Sequence, residues 1–232
     1  MAGEFGGFSR DAIDFMAELA AHNERSWFQP RKPEFERLLK RPLEALCVAL
    51  DERLRAREIP LLSDAARSPF RIYRDVRFSP NKLPYTTHVS AGFPWFDDGG
   101  VGCYFHFEPG EMWCGGGMWA PAPAKLAEWR RLVDRDAVGV RTMLDDPAFV
   151  AAWGRVEGST AKRMPPGFAA DHPAADLLRM KEVLFNRRLA DADVLSPELP
   201  DILADYFGAA IPLIRTLAGL PPQADMGRRW LR

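Results

Sequence analysis

Cysteine is scarce in this chain of 232 residues, which holds only Cys47, Cys103 and Cys114. An odd, widely spaced set excludes a disulfide framework and predicts a reduced, intracellular protein. Histidine is equally thin: His22, His88, His106 and His172 are scattered and show none of the paired spacings that hold zinc. The one close pair, Cys103 with His106, points its members to opposite faces of a strand. The sequence therefore predicts no metal site and no cofactor. No apolar run approaches the roughly 18 residues of a membrane helix, so no membrane partner is expected. The opening MAGEFGGFSRDAIDF lacks a charged segment followed by an apolar one, so the expected location is cytoplasmic. Nor is there an excess of charge. Lys+Arg 31 against Asp+Glu 32 leaves a net charge of -1, which makes a nucleic-acid partner unexpected unless a local patch supplies the field. Phosphate-loop glycine spacings and a GxSxG nucleophile elbow are absent too.

What is present is an ordinary globular composition, 47% hydrophobic and 27% charged, long enough for one substantial core. Ser9 reads as an N-cap, and Ile13, Met16, Leu19 and Ala20 follow at helical spacing. Asn23 to Pro33 reads as a connector anchored by Trp27 and Phe28. A helical stripe through Leu38, Leu39, Leu43, Leu46, Leu50 and Leu54 contains Pro42, which predicts a kink or break. From Phe70 to about Trp119 the texture turns aromatic and β-branched, with turns at Asp97–Gly100 and Glu108–Glu111. In VGCYFHFEP, Val101, Cys103, Phe105 and Phe107 fall on one face, Tyr104 and His106 on the other. Helices are expected after Pro123, over Val138–Leu144 and Pro147–Trp153, and from Ser196 onward with Pro212 inside; HPAADLLRMKEVLF begins as a helix and runs toward a short strand. The fold class is α+β: a single domain over residues 1–220 with a central antiparallel sheet at about 70–119 packed by N- and C-terminal helices, and a loose tail at 221–232.

The densest chemistry lies in RIYRDVRFSPNKLPYTTH, residues 71–88. As a strand it would place Ile72, Arg74, Val76 and Phe78 on one face, putting a guanidinium on the apolar side at a cost of several kcal/mol unless paired. As a helix it would align Arg71, Arg74 and Arg77. Either geometry gathers cations near Asp75, with Asn81, Lys82 and Tyr85 on the following turn. Two interpretations stand: an ion-pair network that holds the fold, or an anion site whose guanidinium forks match carboxylate or phosphate oxygens.

The run Arg71, Arg74, Asp75, Arg77, Phe78, Lys82 and Tyr85 resembles the RxxRDxRFxxxKxxY signature of the domain-of-unknown-function 2461 family. HNERSWF, FEPG followed by GGGMWAP, and KRMPPGF leading to DHPAADLL add to the resemblance, which spans nearly the whole chain. Met112-Trp113-Cys114 and the basic Arg228-Arg229-Trp230 depart from it. The resemblance implies a single-domain soluble protein and brings no activity with it.

The leading expectation is a small phosphate- or carboxylate-bearing ligand held by Arg71, Arg74, Asp75, Arg77, Asn81, Lys82 and Tyr85, with Tyr85 and His88 as candidate proton carriers in any catalysis. The alternatives are a protein or single-stranded nucleic-acid interaction module using Trp95, Trp113 and Trp119, or a purely structural ion-pair network.

Overall fold

The computed structural model describes residues 4–96 and 98–219; the expected loose tail at 221–232 lies outside them. Ser9 caps α1 (Arg10–Ala21), its hydroxyl accepting from the Ala12 N–H at 3.2 Å. The expected connector at 23–33 is instead largely helical: α2 spans Arg25–Phe35 and carries Pro30 and Pro33 inside it. Burial of Phe28 and Phe35 on its inner side explains why two prolines do not prevent it. A π-helical turn, Glu36–Lys40, joins α2 to α3 (Arg41–Ala56). The break therefore precedes Pro42, which sits in the first turn of α3, where a missing N–H matters least.

Three strands follow as read from the sequence: β1 (Val89–Trp95), β2 (Asp98–Phe107) and β3 (Trp113–Met118). Helices α4 (Pro123–Arg135), α5 (Ala137–Leu144), α6 (Pro147–Trp153) and the single turn α7 (Ala175–Leu178) lead to β4 (Val183–Arg188). The turn α8 (Asp191–Val194) and the long α9 (Leu199–Ala218) are the last of the described elements, α9 running on through Pro212. The sheet is antiparallel in the order β1-β2-β3-β4. It thus begins at Val89, not near residue 70, and gains its fourth strand from a segment 65 residues beyond β3.

The inner face of the sheet is apolar. Val101, Cys103, Phe105 and Phe107 of β2 are all buried, as the alternation predicts. Helix α9 crosses β1, β2 and β3 on that side and packs on α3 and α6. Leu203, Phe207, Ala210, Ile214 and Leu217 recur every three or four residues on its buried stripe. Each such large side chain contributes roughly 1.5–3 kcal/mol on leaving water. All three thiols are in this core, and burial raises each of them, Cys47 to about 12. Their role is packing. Among the described residues, no helix is long and apolar enough to cross a membrane.

Candidate functional site

The expected anion segment is neither strand nor helix. Residues 72–74 and 84–86 form a narrow antiparallel ribbon through the Tyr73–Tyr85 bridge, with Arg74 N–H donating to Pro84 O at 2.9 Å and Thr86 N–H to Ile72 O at 2.8 Å. Residues 75–83 make its exposed tip, where Phe78 is 94% exposed. Face alternation therefore weakens along the segment and ends at Phe78: Ile72 is buried, Arg74 and Val76 are half-buried between exposed neighbours, and Phe78 is exposed.

The ribbon's cations mostly hold the ribbon. Arg74 Nη1 donates to Leu83 O at 3.1 Å, and Lys82 Nζ donates to Val76 O at 2.8 Å and Arg77 O at 3.4 Å. Arg77 bonds both Asp75 oxygens, the shorter contact at 2.7 Å, and with Arg71 nearby these bonds hold the Asp75 carboxyl down at about 2. Asn81 Oδ1 accepts from the Leu83 N–H. Tyr85 is the anchor. Its ring is 1% exposed and lies 4.2 Å from that of Phe28, while Asn23 Nδ2 donates to its carbonyl and Asn23 Oδ1 accepts its N–H. Arg71, Arg74, Asp75, Arg77, Asn81 and Lys82 are thus brought together around the tip, whereas Tyr85 faces the core and His88 lies elsewhere.

His88 opens a second constellation, on the outer face of the sheet. That face is nearly bare along its middle. Tyr104 stands between Gly92 of β1 and Gly115 of β3, and Gly102 stands opposite Gly117. Without side chains at these positions a cleft of about 450 Å³ opens, lined by Phe70, Tyr104, Trp113, Trp119, Leu184 and Asn186 among others. Tyr104 and Trp113 are 4.9 Å apart, and Trp113 stacks on His106 at 5.1 Å. Gly117 has φ +122, and a Cβ there would lie 2.1 Å from Val183 O, so only glycine keeps β3 against β4.

Beside the cleft the polar groups form one chain. Val89 pairs with Phe107, so the residues just before β1 lie beside those just after β2. Thr87 Oγ1 donates to Glu108 Oε1, and His106 Nε2 lies 3.1 Å from Glu108 Oε2. A proton on Nε2 facing the carboxylate leaves Nδ1 to accept from the Tyr104 hydroxyl at 3.1 Å; the tautomer follows from the network. Ser90 adds a side-chain hydrogen bond to Tyr104. Burial opposes ionisation of Glu108, yet bonds from Thr87 and His106 outweigh it and hold its carboxyl below the usual range. Burial raises the Tyr104 phenol. His88 packs its ring 4.4 Å from His106; burial, then the neighbouring imidazole, lowers it to about 4. The result is a carboxylate that orients an imidazole, which in turn engages a phenol at a cleft wall.

The family profile covers residues 11–215, most of the described chain. The chain belongs to the DUF2461 family, described as a conserved hypothetical protein. No curated protein and no solved structure matches it.

Of the tryptophans expected at an interaction surface, Trp95 is buried, Trp113 half-buried and Trp119 47% exposed. The residues that sequence reading passed over are Thr87, Ser90 and Glu108, together with the partnership of Tyr104 and His106. One signal was available in YFHFE: three proton-exchanging groups at period two, on one face of a strand whose other face is apolar.

Proposed function

We propose that the outer face of the sheet binds a flat, largely uncharged small molecule, and that Tyr104, backed by His106 and Glu108, exchanges a proton with it. The observation that carries this reading is the meeting of the Tyr104–His106–Glu108 chain with an aromatic-walled, glycine-floored cleft. Rings stack on Trp113 and Tyr104, and the absent side chains at Gly102 and Gly117 admit a flat ligand close to the backbone. Among the described residues no lysine or arginine lines this cleft, which disfavours an anion; a carbonyl or heteroaromatic acceptor would take the Tyr104 hydroxyl hydrogen bond that His106 Nδ1 holds in its absence. A panel of aromatic aldehydes, ketones and N-heterocycles tests it through quenching of tryptophan fluorescence. Saturable binding is expected, weakened about tenfold in Trp113→Ala. In Tyr104→Phe, binding of non-acceptor aromatics should persist while acceptor-bearing ones lose affinity. No saturable quenching by any class would sink the reading.

A second reading keeps the small anionic ligand. Beside the ribbon lies an open hollow of about 510 Å³ lined by Asn23, Glu24, Arg25, Val76, Asn81, Lys82, Leu83 and Pro84. Arg25 and Lys82 offer charge there, and the first turn of α2 offers free N–H groups. Titration with inorganic phosphate and with citrate, followed by NMR shifts, should perturb the Lys82 region in the wild type and not in Arg25→Ala/Lys82→Ala. Shifts of equal size in both proteins would remove the hollow as the site.

A further inference from the structure

We propose that His88, His106 and Glu108 form a binding site for a first-row divalent cation, zinc foremost, at the Tyr104 end of the cleft. One donor atom from each of the three lies within 4.8 Å of the others. His106 Nε2 and Glu108 Oε2 are already 3.1 Å apart, close to the roughly 3.3 Å between donors in a tetrahedral site with bonds near 2.0–2.1 Å. A small shift of the half-buried His88 ring completes the set. Two histidines and a glutamate make the donor set of open, catalytic zinc sites, which leave a fourth position for water or a ligand.

The surroundings fit a metal as well as the donors do. Metal-bound imidazoles and carboxylates are held by outer partners on their remaining polar atoms. Glu108 Oε1 has the Thr87 hydroxyl, and His106 Nδ1 has the Tyr104 hydroxyl, so Oε2 and Nε2 are the atoms left for the cation. His106 sits in β2, and His88 and Glu108 directly flank the paired Val89 and Phe107, so the sheet register sets how close the three can lie. Of the three, His106 also lines the cleft. A cation at Nε2 would leave the His106 proton on Nδ1, which would then donate to the Tyr104 oxygen. The Tyr104 hydroxyl would thereby be free to donate a hydrogen bond toward the cleft.

The inference does not depend on what the cleft binds, because it is read without a cleft ligand. Metal-stripped full-length protein is titrated with Zn2+ against a chromophoric chelator, and with Co2+ for its visible absorption. One equivalent of tight binding is expected, with a Co2+ spectrum of low coordination number. His88→Ala and Glu108→Gln, both at half-buried positions, should weaken it by at least about tenfold, while His22→Gln and His172→Gln leave it unchanged. Circular dichroism confirms that each variant is folded. Wild-type binding no tighter than that of the His88→Ala/Glu108→Gln double variant overturns the proposal. Fluorescence quenching by cleft ligands in metal-free protein would then still stand or fall on its own.

Discussion

Gly117→Ala is expected to destabilise the protein by about 4 kcal/mol and to abolish any ligand response of the cleft. Two penalties combine. A residue with a Cβ is strained at φ +122, and the methyl would meet Val183 O at 2.1 Å, Leu184 Cα at 3.0 Å and Val183 C at 3.0 Å. All three are backbone atoms of the neighbouring strand, so no rotamer change relieves the clash. β4 must move away from β3, carrying Leu184 and Asn186 out of the cleft wall. Gly110→Ala provides the contrast. Gly110 also has positive φ, +79, but a Cβ there meets nothing within 4 Å, so only about 1 kcal/mol should be lost. Urea denaturation of the two variants separates the clash from the backbone strain. Equal losses would mean that β3 and β4 are not held as closely as described.

Asn23→Ala should cost about 3 kcal/mol, lowering the melting temperature by about 10 °C. The side-chain amide makes both of its bonds to one residue, Nδ2 to Tyr85 O at 3.0 Å and Tyr85 N–H to Oδ1 at 3.1 Å, and both bonds are buried. Truncation leaves a buried donor and a buried acceptor without partners, each worth roughly 1–3 kcal/mol. The loss should be local first. Amides of residues 72–74, 85 and 86 should exchange faster with deuterium before the sheet does, because Tyr85 ties their ribbon to Phe28. Asn81→Ala, which removes only an exposed bond to the Leu83 N–H, should stay within about 1 kcal/mol of wild type. If Asn81→Ala matched Asn23→Ala, the anchor would be misplaced.

How far the sequence reached can be judged element by element. The alternation in VGCYFHFEP placed Phe105 and Phe107 inside and Tyr104 and His106 outside, because a strand packed on one side has no other way to arrange them. Pro147–Trp153 was legible from a proline start and apolar spacing. The region 23–33 misled, since Trp27 and Phe28 between polar clusters read as a connector, while burial of Phe28 and Phe35 holds a helix there in spite of Pro30 and Pro33. RIYRDVRFSPNKLPYTTH misled differently. Its arginine at an apparent inward position suggested an expensive buried charge, but in the ribbon Arg74 is only half-buried and Lys82 is exposed, and both bind carbonyls in contact with water.

By itself, then, the sequence determined the class of fold, the two faces of β2 and the membership of the family, since these rest on local periodicity and on motifs that lie within a few residues. Which polar groups meet was decided by tertiary structure alone. His88 and His106 stand 18 residues apart in the chain and 4.4 Å apart ring to ring, and Asn23 finds Tyr85 across 62 residues. Pairing register and loop closure set such distances, and neither leaves a periodic trace in the order of the amino acids.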